Sequence, residues 1–239
     1  MKPDLDYKGL DIVPGFDLSM PRRQGDAPAH RCSGTGSKGT SPITTGQTIP
    51  PIALFSPGGS KILLRRPNNE MGEAMGYWGY FAVAESASPL GGLACMRATP
   101  GLTLNRRLSG DWQVWEHPAE PGLEADDLAI ALAEETGKPA LVGFVMDSDC
   151  VVIEAADSSN GAWTACLSPK AMAGYLAEAG QQLEDWMLTP EQAATHAVNW
   201  AHLTGRLVAS ASLAEVFQKE ADPFAEDLFF TLLESLRLV

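Results

Sequence analysis

Ala140-Leu-Val-Gly-Phe-Val-Met146, Asp147-Ser-Asp149, Cys150-Val-Val-Ile-Glu-Ala-Ala156, Asp157-Ser-Ser-Asn-Gly161 and Ala162-Trp-Thr-Ala-Cys-Leu167 follow one another directly in the chain. Three short apolar runs, rich in β-branched and aromatic residues, alternate with two polar connections, the pattern of strands joined by tight turns. Asp-Ser-Asp closes the first connection and Asn-Gly the second, residues that hairpin turns favour. An antiparallel meander is therefore expected over 140–167.

Working outward, Leu123–Thr136 reads as an amphipathic helix with Leu128, Ala131 and Leu132 inward and Glu124, Asp126 and Asp127 in its first turn. Gly137 and Pro139 stop it. Further upstream, Tyr77–Ala84 and Asp111–Glu116 read as strands, with turns at Ser88–Gly92 and Thr99–Gly101. Beyond Leu167 the pattern becomes helical. Ser168-Pro169, Thr189-Pro-Glu-Gln192, Ser212-Leu-Ala-Glu215 and Asp222-Pro223 are the expected helix starts, the second and third as capping boxes. The sum is an α+β fold: about five mostly antiparallel strands with one inserted helix, then about four helices.

The 239 residues carry a net charge of −13 and are 45% hydrophobic. Their distribution is uneven. Residues 1–74 hold nine of the 17 prolines, ten of the 23 glycines, no tryptophan, and nine basic against seven acidic residues. Residues 75–239 hold all six tryptophans, with eight basic against 23 acidic residues. The first part shows no sustained period beyond a short apolar stretch at Ile49–Phe55 and is expected to be mostly disordered. The second is expected to be an acidic globular domain. Met75 opens that domain, and Gly72-Glu73 implies a purine-rich stretch just before its codon, as upstream of a bacterial gene start. A natural start at Met75 is therefore a second reading of 1–74.

A sequence pI near 4.6 opposes nucleic-acid binding and attachment to anionic lipid. The opening MKPDLDYKGL is charged where an export signal is apolar, and the longest strand-like apolar run, Ala140–Met146, is far short of a membrane span. A cytoplasmic location is expected. Gly34-Thr-Gly36-Ser-Lys-Gly39 matches G-x-G-x-x-G, but the residues before it make no strand and Pro42 follows, so it carries no nucleotide site. Cys32, Cys95, Cys150 and Cys166 form no metal-ligand pattern and read as free thiols, with a Cys150–Cys166 disulfide only if the protein is exported.

The segments Met75-Gly-Tyr-Trp-Gly-Tyr-Phe81, Val145-Met-Asp-Ser-Asp-Cys150 and Ala221-Asp-Pro-Phe-Ala-Glu-Asp-Leu-Phe-Phe230 together resemble a family of actinobacterial proteins. The resemblance spans about 75–239 and leaves 1–74 outside. It implies no activity, cofactor or functional residue.

Among chemistry-bearing residues, Asp147 and Asp149 stand out, flanking Ser148 on a predicted turn, with Glu154 on the following strand. Two carboxylates and a hydroxyl suit a hard cation, while Asp and Ser also suit the turn itself. His30 and His117 lie in loops; His196 and His202 stand six apart on one helix, about 240° around it, and cannot share a metal. Tyr77, Trp78, Tyr80, Trp112, Trp115 and Trp163 fall on strands, and Trp78 and Trp112 are candidate anchors if one sheet face is uncovered. No nucleophile elbow or cofactor motif occurs. The favoured expectation is a non-enzymatic acidic protein, immunity- or inhibitor-like, that binds a basic protein through Asp147, Asp149, Glu154, Trp78 and Trp112, with no metal and no cofactor. The alternative is a metal-dependent hydrolase using the Asp147/Asp149 turn with Glu154 or His117. A homodimer through a free strand edge fits either.

Overall fold

The structure is a computed structural model that describes residues 52–55, 61–64, 76–97, 99, 101–118, 125–159 and 161–239. All of these lie within Gln47–Val239, the second of two units into which the chain divides. The expected disorder of 1–74 and the glycine motif at 34–39 thus fall largely outside the described residues. Within that part, β1 (Ile52–Phe55) and β2 (Lys61–Leu64) pair antiparallel, with Ile52 opposite Leu64.

The remaining strands form one six-stranded sheet: β3 (Gly79–Glu85), β4 (Thr103–Arg107), β5 (Trp112–His117), β6 (Ala140–Met146), β7 (Cys150–Asp157) and β8 (Gly161–Leu167), in the order β4-β5-β3-β6-β7-β8. Every neighbouring pair is antiparallel. The α+β class holds, with six strands in place of about five. The added strand is β4, whose Thr-Leu-Asn-Arg-Arg is exposed throughout and has no apolar alternation. Its ladder to β5 is bulged between Leu104 and Arg106, and the Arg106 guanidinium lies 3.8 Å from the Phe230 ring centre. β5 and β6 both flank β3 and so run parallel, which requires a crossover rather than a hairpin. Helix α2 (Ala125–Thr136) supplies it and ends at Gly137, whose φ of +65° suits glycine at a helix C-terminus.

Both faces of the sheet are covered. Phe81, Val83, Leu141, Val145, Val151 and Ile153 pack beneath α4 (Pro190–Leu203), α5 (Ser210–Gln218) and α6 (Ala225–Ser235). The alternate residues Tyr80, Ala82, Val142, Phe144 and Val152 pack against α2, α3 (Pro169–Glu178) and the short α1 (Ala94–Arg97). Double-sided burial explains why β6 and β7 are apolar almost without interruption, where a sheet with one wet face would alternate. Among the described residues no helix is long and apolar enough to cross a membrane.

Helix α3 starts at Pro169 as expected, but the helix caps and starts differ from expectation in three places. Thr189 does form a full capping box, its hydroxyl accepting from the Gln192 N–H and its own N–H donating to the Gln192 side chain. Ser168, by contrast, sits at φ +61° and makes no cap; its hydroxyl donates to Glu220 and accepts from the Ala221 N–H, tying α3 to the segment after α5. Helix α5 starts at Ser210, so Ser212 lies inside it and forms no capping box. Helix α6 starts at Ala225 rather than at Pro223, and the Ala225 N–H donates to the Ser148 carbonyl at 2.8 Å.

Gly143, in the middle of β6, lets the Phe229 ring of α6 lie on the strand backbone; a Cβ there would collide with that ring. Gly143→Ala should therefore lower the unfolding free energy by about 1–3 kcal/mol. Urea unfolding of Gly143→Ala, Phe229→Leu and the double variant should show a coupling of at least about 0.5 kcal/mol, since the smaller side chain relieves the collision. Strict additivity would contradict this packing.

Candidate functional site

Asp147, Ser148 and Asp149 form the turn between β6 and β7. Asp147 (φ +54°) and Ser148 (φ +58°) are consecutive left-handed residues, and the Asp149 N–H donates to the Met146 carbonyl at 2.9 Å, as in a type I′ turn. Side chains other than Gly, Asn and Asp adopt this conformation at a cost, so Ser148 needs compensation. Its hydroxyl supplies part of it, accepting from the Tyr77 N–H and donating to Glu226 Oε1, both at 2.8 Å. The Ser148 N–H donates to the Tyr77 carbonyl at 3.0 Å. Asp147 Oδ1 accepts from the Gly76 N–H at 2.8 Å, while Asp149 Oδ2 accepts from the Tyr175 hydroxyl at 3.1 Å. Burial, and then the Asp149 carboxylate, push the Tyr175 hydroxyl well above its usual range. Each of the three turn side chains thus holds another part of the fold.

The other expected site residues lie elsewhere. Glu154 is 5% exposed, five residues beyond Asp149 along β7 and roughly 16 Å from it at strand rise. His117 is on β5, opposite Tyr80 and two strands from β6, roughly 10 Å away across the sheet. The carboxylates and the imidazole of the hydrolase reading do not converge. Among the described residues no group of three or more His, Cys, Asp or Glu stands where it could hold a metal ion. Trp112 is 1% exposed, packed on Trp200 beneath the α4–α6 layer; Trp78 is 7% exposed on the opposite face, edge-on to Phe144 and Tyr175. Both indoles lie in the core because neither face of the central sheet is left open.

The described cysteines are free thiols, Cys150 and Cys166 among them. Burial pushes Cys166 up to about 12 and Cys150 well above its ordinary value; burial and then Glu135 raise Cys95 to about 12. All three are held protonated near neutral pH, unlike an activated nucleophile. The exposed edge strand β4 carries a bulge and two arginines, features that discourage edge-to-edge pairing.

A cleft does form at the other edge of the sheet. The outer edge of β8 meets the segment after α3 only in part, with the Leu188 N–H donating to the Thr164 carbonyl at 3.1 Å. Around Ala162 and Trp163 the covering chain draws away and leaves a cavity of about 270 Å³. Its walls include Trp163 from β8, Glu184, Asp185 and Trp186 from a 3-10 turn at 183–185 and the residue after it, and Gln192 and His196 from α4. Trp163 stacks at a tilt on His196, ring centres 5.9 Å apart, and Trp186 Nε1 donates to Gln181 Oε1 at 3.3 Å. Glu184 and Asp185 are exposed. Sequence reasoning placed Trp163 on a strand and His196 on a helix but missed Glu184, Asp185 and Trp186. The available signal was the run Leu183-Glu-Asp-Trp-Met187, an indole beside two carboxylates in a stretch between helices.

Ser148→Ala removes the acceptor of the Tyr77 N–H and the donor to Glu226, and should cost about 1–3 kcal/mol of stability. Asp149→Asn, at an exposed position, should change stability by about 0.5 kcal/mol or less. Thermal unfolding of the full chain checks both, and equal stability of parent and Ser148→Ala would contradict the role given to the turn. Comparison with protein-family models, curated proteins and solved structures finds no match to this chain.

Proposed function

We propose that this is a non-enzymatic acidic binding protein whose partner is a basic protein, in the manner of an inhibitor or an immunity protein. The observation that carries the reading is unneutralised outward charge. Residues 75–239 hold 23 acidic and eight basic residues, and exposed acids recur on every helix layer, among them Asp127 and Glu134 on α2, Glu178 on α3, Glu191 on α4 and Glu215 on α5. Among the described residues one ion pair occurs, Lys138 Nζ to Glu85 Oε2 at 3.8 Å. Charge that is not paired internally projects a field into solvent, and such a field raises association rates with an oppositely charged partner by about 10–1,000-fold.

The test is affinity capture from the producing cells with the full chain as bait, each retained protein being identified. The reading expects retention of a protein with pI above about 9 at roughly 50 mM salt and its release at roughly 500 mM, where exposed charges are screened. Retention of only acidic or neutral proteins, or of a basic protein insensitive to salt, would overturn it.

A further inference from the structure

We infer that the cleft between β8 and α4 receives a cationic side chain, arginine by preference, from an extended segment of the basic partner; this rests on the function proposed above. Three independent features converge on that occupant. The first is size: at about 270 Å³ the cavity falls just below the usual range of roughly 300–1,000 Å³ for small-molecule sites, room for one long side chain rather than a cofactor. The second is chemistry. Trp163 and Trp186 line the cleft but are only 8% and 7% exposed, so each turns no more than an edge of its indole to it, while Glu184 and Asp185 stand exposed and adjacent at the rim. A carboxylate pairs with a guanidinium through two parallel hydrogen bonds, so the adjacent acidic pair at the rim selects a cation. A guanidinium forks in a way an ammonium does not.

The third feature is the strand edge. Thr164 turns its carbonyl outward, toward Leu188. Along an antiparallel strand the backbone polar groups of every second residue face the same side, so Ala162, which lines the cleft, also turns its N–H and C=O outward. A free amine would leave those groups to water; an extended peptide pairs with them while its side chain enters the cavity. The pairing selects a polypeptide over a small cation.

The experiment uses the full chain and two tripeptide probes, N-acetyl-Gly-Arg-Gly-amide and its norleucine counterpart. The readout is the indole N–H resonances of Trp163 and Trp186, identified with Trp163→Phe and Trp186→Phe. The arginine probe should shift both resonances saturably, and the norleucine probe should bind at least about tenfold more weakly. Glu184→Gln/Asp185→Asn should weaken the arginine probe by about tenfold or more, while Asp127→Asn/Glu134→Gln, the same charge change on α2, should leave it within about twofold. Absence of a saturable shift, equal affinity for both probes, or equal weakening by the two double variants would each overturn the assignment. The two proposals fail separately. Capture of a basic partner unaffected by Glu184→Gln/Asp185→Asn sinks the cleft and leaves the general reading intact; arginine-specific shifts without any basic partner captured do the reverse.

Discussion

Ser148 is where the fold is tied together. Its hydroxyl, N–H and carbonyl hold the start of β3 through Tyr77 and the start of α6 through Ala225 and Glu226, segments more than 70 residues away on either side. β3 is the strand that joins the β4–β5 pair to the β6–β7–β8 meander, and α6 belongs to the helical layer on one face. A single turn thereby sets both the register of the sheet centre and the seat of a helix. The left-handed backbone at Asp147 and Ser148 is the local cost, and the hydrogen bonds to two distant chain segments offset it.

That constraint explains why acidic residues on a loop need not mark a reactive site. Asp147 and Asp149 have the composition of a cation-binding turn, yet they accept hydrogen bonds from Gly76 and Tyr175. Polar side chains at turns compete for nearby backbone donors, and here the donors come from distant segments brought close by the sheet. The charge proposed for recognition lies on the helix surfaces, at residues such as Asp127, Glu134, Glu178 and Glu215, and around the β8–α4 cleft.

Much of the fold was legible in the residues, and the exceptions have physical causes. Ala140–Met146 appears as a strand with the bounds its apolar run suggests, and β7 and β8 extend theirs by a single residue. β4 was invisible because an exposed edge strand has no buried face to leave a period in the sequence. Ser168 and Ser212 matched capping patterns, but the first is drawn to Glu220 and the second lies within a helix that begins earlier. The unbroken apolarity of Val151-Val-Ile153 is what burial on both faces produces, and the expectation of an open face overlooked it, so Trp78 and Trp112 lie in the core instead of at the surface. The cleft was beyond reach of the sequence: its walls come from three elements, and no local period says that the Glu184–Trp186 segment lies beside β8.

The central claim is that the Asp147–Asp149 turn belongs to the cooperative core while the rim of the cleft is free to engage a partner. Native-state hydrogen exchange of the full chain tests it most directly. The amides of Tyr77 and Ala225, both bonded to Ser148, should exchange with the same opening free energy as those in the middle of β6 and β7. Amides at 183–185 should open at a much lower free energy. Fast exchange at Tyr77 and Ala225, level with 183–185, would show the turn to be a loose loop and contradict the account.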